Sequence, residues 1–190
     1  MRTSRLFGAP GVVALALAAA PCQARADEVD ILAQFVKAQA DSRVGTASKT
    51  RSVDGRPATV GEIVVTVIKG EGVETMSKPA EAGDLVVRNR CPETGNEEYL
   101  VKASRVKERY GEPTGEADAA GWRSYAPKGT AMLFFMVKEG EGPWTFKAPW
   151  GEAMTAKAGD AIVQDPSNPK DTYRIAAASF RCTYDINRQP

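Results

Sequence analysis

Apolar positions along this chain come in short clusters separated by polar and glycine-rich punctuation, and the spacing within each cluster predicts an element. The first cluster, Gly11–Ala20 (GVVALALAAA), follows Arg2 and Arg5 and precedes Ala24-Arg25-Ala26. A positive start, a short apolar run and small residues flanking a large one form a secretory signal peptide over 1–26, with Asp27 opening the mature chain. That run is too short to span a bilayer, and no later stretch is long enough, so no membrane span remains once the signal is removed. Asp30 then precedes a helical pattern to Ala40, with Leu32, Phe35, Val36 and Gln39 on one predicted side and Asp30 as N-cap. Ser42 to Ala58 is polar and reads as a loose linker.

Beyond that point the predicted elements are strands. EIVVTVI (62–68) and MLFFMV (132–137) are runs of apolar and β-branched residues, and each is followed by a GEG turn, at 70–72 and 140–142. Ala82-Gly83-Asp84 and Ala158-Gly159-Asp160 each lead into another strand, LVV or AIV. Tyr99-Leu100-Val101 and Tyr173-Arg174-Ile175 are third strands, and the stretches 103–108 and 177–182 each suit one helical turn before a closing tyrosine. The chain therefore repeats itself. Residues 63–72 align with 133–142, 82–87 with 158–163, and 99–110 with 173–184. The expected architecture is mainly β: two tandem β-rich units preceded by a short amphipathic helix. The predicted organisation is signal peptide 1–26, N-terminal helix and linker 27–60, first repeat 61–111, linker 112–124 and second repeat 125–190. Units this small are marginal alone, so the two are expected to pack together.

The marks of the second unit are Gly159-Asp160, Tyr173, Phe180 and Tyr184; those of the first are Gly83-Asp84, Tyr99, Val106 and Tyr110. On these residues each copy resembles the PGDYG protein family, over about 30 positions per copy. Ala82 and Ala158 stand where that family has proline, and Leu85 and Ala161 where it has an aromatic residue. The resemblance implies a small β-rich unit and no particular activity.

Composition narrows the chemistry. The 190 residues contain no histidine, which removes His-dependent nucleophilic triads, His-ligated zinc and imidazole switches. The signal segment carries Arg2, Arg5 and Arg25 and no acid, so a mature chain keeps all 24 acidic residues and loses three of 25 bases. A charge so near neutral argues against nucleic acid as a partner. Cys22 departs with the signal, leaving Cys91 and Cys182. In an oxidising compartment such a pair is expected to form one disulfide, here between the repeats. Two inert buried thiols or a redox pair are the other readings, and the absence of C-x-x-C weighs against the last.

Candidate sites are few. Asp84 and Asp160 hold equivalent places and would form a carboxylate dyad if the repeats brought them together; alternatively each caps its own turn. An aromatic hairpin at 142–151, with Trp144, Phe146 and Trp150, and with Trp122 and Tyr125 upstream, offers a platform for a glycan or protein, or else closes the core. Asp165, Asn168 and Asp171 lack the spacing of a calcium loop, and no phosphate-cradling motif occurs, so neither metal nor cofactor is expected. The leading expectation is a non-catalytic binding protein of the cell envelope, periplasmic or secreted, with an unknown protein or glycan partner. A carboxylate-dependent hydrolase and an accessory subunit docking through the aromatic hairpin are the alternatives.

Overall fold

The computed structural model describes residues 27–190, so the segment assigned as a signal peptide lies outside the described residues. The order is β1 (Asp27–Glu28), α1 (Ile31–Ala40), β2 (Gly45–Lys49), β3 (Val53–Pro57), β4 (Val65–Ile68), β5 (Gly72–Met76), β6 (Leu85–Asn89), a 3-10 turn (Pro92–Thr94), β7 (Glu98–Val101) and α2 (Ala103–Arg109). There follow β8 (Arg123–Tyr125), β9 (Ala131–Met136), β10 (Trp144–Lys147), β11 (Ala153–Ala156), β12 (Ala161–Asp165), β13 (Asn168–Ile175), α3 (Ala177–Thr183) and β14 (Tyr184–Arg188). The fold is mainly β. Among the described residues, no helix is long and apolar enough to cross a membrane.

Asp30 caps α1 as expected, its Oδ1 accepting from the Leu32 and Ala33 amides at 2.9 and 3.2 Å. The buried stripe is Ile31, Phe35 and Ala38, one position away from the predicted face, and Val36 is 64% exposed. The shift has a packing cause: Ile31, Phe35 and Ala38 reach Phe135, Phe146, Met154 and Ile162, which form a hydrophobic layer beneath the helix.

Two larger sheets carry the rest, with strand orders β7-β6-β3-β8 and β13-β12-β9-β2-β14. Their registers correspond. Leu85, Val86 and Val87 face Val101, Leu100 and Tyr99, just as Ala161, Ile162 and Val163 face Ile175, Arg174 and Tyr173. On the other side of β6, Pro57, Arg56 and Gly55 face Leu85, Val86 and Val87; Met136, Phe135 and Phe134 face the matching residues of β12. The counterpart of β9 is therefore β3, which corrects the alignment of 63–72 with 133–142. β4 pairs only with β5, in a separate hairpin that occupies the same place in chain order as β10–β11.

This correspondence exposes an exchange. β2 runs into β3, and β8 into β9, through short connections, yet neither pairs with its successor. Instead β2 pairs with β9, Ala47 opposite Met132, and β8 pairs with β3, Tyr125 opposite Val53. Each half thus donates one strand to the sheet of the other. The stretch 42–58, expected to be a loose linker, holds both β2 and β3, and 112–124 already enters β8 at Arg123. Their polar alternation conceals strands whose inner positions are small: Ala47 and Gly55 are both buried. Gly55 has no room for a side chain, since a Cβ there would lie 2.7 Å from the Tyr125 ring and 2.9 Å from Leu85.

Cys91 and Cys182 form a disulfide with Cα atoms 6.2 Å apart, joining the start of the 3-10 turn of the first half to α3 of the second. Closing so long a loop constrains the unfolded chain. Reduction should lower unfolding free energy by about 2 to 4 kcal/mol while leaving the far-ultraviolet spectrum unchanged, measured as a urea midpoint with and without reductant. The Cys91→Ser, Cys182→Ser double variant should match the reduced protein and be insensitive to reductant.

Candidate functional site

The Gly-Asp turns come first because they shape what lies between the halves. Gly83 and Gly159 adopt φ values of 85° and 88°, open to glycine, and so turn the chain into β6 and β12. Asp84 Oδ1 accepts from the Ala103 amide and Oδ2 from the Glu81 amide; Asp160 does the same with Ala177 and Lys157. Each carboxylate therefore ties its turn to the first residue of the helix that follows β7 or β13. Neither lines the cavity between the halves, and no hydrogen bond joins them; each carboxylate serves its own turn. Their cations differ: Lys102 Nζ lies 2.9 Å from Asp84, whereas Arg174 Nε lies 2.8 Å from Asp160. Hydrogen bonds and the lysine hold the Asp84 carboxyl below its usual range against the opposing effect of burial.

Between the halves opens a cavity of about 810 Å³. The four tyrosines that mark the repeats, Tyr99, Tyr110, Tyr173 and Tyr184, stand on its wall, together with Met76, Leu100, Met132, Trp150, Met154 and Ile175. Tyr99 and Tyr110 join hydroxyls at 2.9 Å. Burial raises both phenols, Tyr110 to about 12, so they stay protonated throughout the physiological range. Ser179 also lines the cavity, and its Oγ is buried with no hydrogen-bond partner in the protein.

Three charged groups reach the wall, through Arg174 and Glu74, through Lys49, and through Arg105, Arg109 and Asp171. Arg174, only 5% exposed, reaches Asp160, Glu74 (2.7 Å) and Glu71 (2.7 Å), and Lys157 reinforces Glu71. Glu71 and Glu74 share that guanidinium unequally. Glu71 also has Lys157 and is held down, while burial pushes Glu74 up to about 7 against the pull of Arg174, with Glu97, Asp160 and Glu71 adding in the same upward direction. Opposite, Lys49 Nζ donates to Asn89 Oδ1 at 2.7 Å and to Tyr99 Oη at 2.6 Å. Arg105 and Arg109 both bind Asp171, at 2.5 and 3.0 Å.

The aromatic residues named from sequence do not gather into one surface. Phe146 and Tyr125 are buried, the first beneath α1 and the second edge-on to Tyr110. Trp144 packs beside Phe135. The guanidiniums of Arg56 and Arg88 lie over the Trp122 ring, 5.2 and 4.1 Å from its centre. Trp150 alone of the five reaches the cavity, its ring 5.9 Å from that of Tyr173. The disulfide removes both sulfurs of the Cys91, Glu93, Cys182 group from metal ligation.

Sequence reasoning missed Lys49, Glu74, Asn89, Glu97 and Arg174. Lys49 sat in the supposed linker, and Arg174 differs from Leu100 at its matched position; that mismatch was the one available signal. An apolar face does stand exposed elsewhere, on the outer side of β4–β5, where Val65, Val67 and Val73 are 41, 49 and 65% exposed. Compared with known proteins, the chain matches no protein-family model, no curated protein and no solved structure.

Glu74 gives a pH signature. Its folded value of about 7 lies above its unfolded value near 4.5, so the folded state binds the extra proton between these limits. Its contribution should therefore make stability fall as pH rises from about 4.5 to about 7. Glu74→Gln should abolish that limb in urea midpoints measured across the range.

Proposed function

We propose that this chain is an exported, non-catalytic binding protein of the cell envelope that holds a small molecule in the cavity between its two halves. The observation that carries the reading is the cavity itself. Its volume of about 810 Å³ falls in the range of ligand sites, and its wall combines apolar side chains with a few convergent polar groups. The Trp150–Tyr173 pair offers a ring face, and the unpartnered Ser179 hydroxyl offers a hydrogen bond that the protein leaves unused. A ligand with a flat or sugar-like face and hydroxyl groups fits that chemistry. The apolar run at 11–20, the small residues before Asp27 and the disulfide support export. The likeness of both Gly-Asp–Tyr patterns to PGDYG proteins belongs to the same reading, as two diverged copies of one unit enclosing a shared site.

A second reading, an accessory subunit, is favoured by the exposed Val65, Val67 and Val73 face, a more suitable docking surface than the hairpin at 142–151, whose Phe146 is buried and whose Trp144 and Trp150 are half-buried. Charging it with Val67→Lys and Val73→Lys should leave cavity binding intact.

Protein isolated from its native host should begin at or within a residue or two of Asp27 by N-terminal sequencing. Titration with anilinonaphthalene sulfonate should show one saturable site that quenches tryptophan fluorescence. Trp150→Ala should weaken it about tenfold, whereas Trp122→Ala, outside the cavity, should leave it unchanged. Equal effects of the two variants, or no saturable site, would remove the cavity reading.

A further inference from the structure

Lys49, Asn89 and Glu97, on the cavity wall, form a chain of contacts that links the two halves, with Asn89 and Glu97 buried and Lys49 half-buried. Lys49 belongs to β2, in the sheet of the second half; Asn89 ends β6, in the sheet of the first. Lys49 Nζ touches Asn89 Oδ1 at 2.7 Å, and Asn89 Nδ2 donates to Glu97 Oε1 at 2.8 Å. A side-chain amide has two orientations. Only the one with oxygen toward the ammonium and nitrogen toward the carboxylate satisfies both neighbours. Asn89 and Glu97 are each 5% exposed, and Thr94 Oγ1 donates to the second Glu97 oxygen.

We propose that Lys49 and Asn89 join through an intramolecular isopeptide bond, with Glu97 as the catalytic acid and base. The amine nitrogen of Lys49 attacks Cγ of Asn89, the carbon that bears the oxygen it already touches. Once Nζ is bonded to Cγ, beside the nitrogen that already donates to Glu97, the carboxylate takes a proton from Nζ and delivers one to Nδ2. The Cγ–Nδ2 bond breaks, the Nζ–Cγ amide remains, and one ammonia leaves. No oxidant, reductant or further reactant enters the balance.

Three features favour the step. The Lys49 nitrogen already lies 2.7 Å from Oδ1 of the carboxamide whose carbon it attacks, which replaces an encounter between two chains by a unimolecular reaction. Burial lowers the Lys49 amine to about 7, against the pull of Glu97 and with a push from Arg109, so a large share of the nucleophile is uncharged at neutral pH. The Tyr99 hydroxyl, 2.6 Å from Nζ, orients the amine without carrying charge. The bond would fasten the exchanged strand of one half to the sheet of the other. It is independent of the ligand reading, since the product amide needs no occupant in the cavity.

Tryptic digestion of the full-length exported protein, followed by mass spectrometry, decides the matter. Cleavage at Arg43, Arg51, Arg88 and Arg90 should release 44–51 covalently attached to Asn89-Arg90, lighter than the two peptides by one ammonia, about 17 Da, with no cut after Lys49. Lys49→Arg and Glu97→Gln should each restore separate peptides of unmodified mass. Free 44–49 and Asn89-Arg90 in the wild-type digest would overturn the proposal, whether or not the variants fold. A cross-link persisting in Glu97→Gln would overturn the role given to Glu97.

Discussion

The reciprocal exchange of β2 and β8 is the constraint on which this molecule depends. β2 lies between β9 and β14 and cannot leave its sheet without abandoning two ladders of hydrogen bonds, while β8 closes the other sheet as an edge strand on β3, so each half has surrendered a strand to the other. Neither half can therefore unfold while the other keeps its sheet. The disulfide acts in parallel, anchoring α3 beside the 3-10 turn. Two units of marginal size become one cooperative body because the seam runs through the sheets, where separation would orphan backbone groups.

The cavity follows from the same arrangement. Crossing strands bring the inner ends of β7, β13 and both helices toward one another, and the long side chains there cannot fill the space completely. The repeat tyrosines line the gap, and the charged residues around it are stabilised in clusters because each would be costly alone. Arg174 shows the consequence of divergence: where the first half has Leu100, the second has a guanidinium that draws Glu71 and Glu74 across from the first half's hairpin.

Much of the local structure was legible in the sequence. Gly-Asp turns, tyrosine positions and the Asp30 cap all express backbone rules that act within a few residues, and they stand where the chain pattern places them. The α1 face was misjudged by one position because its stripe is chosen by Phe135 and Met154, which are far away in sequence. β2 and β3 escaped notice because GTASK and VDGRP carry small or polar residues at buried positions, where a neighbouring ring takes up the volume. The false match between 63–72 and 133–142 came from two apolar runs of similar composition; composition sets strand propensity but not the partner. The exchange itself left no local trace, nor did the Lys49–Asn89–Glu97 contacts, which join residues from different sheets.

The unequal cations on the two Gly-Asp turns divide the molecule electrically. Lys102 is 42% exposed and shares its charge between the buried Asp84 and the exposed Glu81, so dissolved ions reach the ammonium and compete for it. Arg174 holds Asp160 in the interior, beyond the reach of that competition. Two turns of common geometry thus respond to different surroundings. Added salt weakens the lysine's hold on its turn more than the arginine's, while backbone amides keep both aspartates in place.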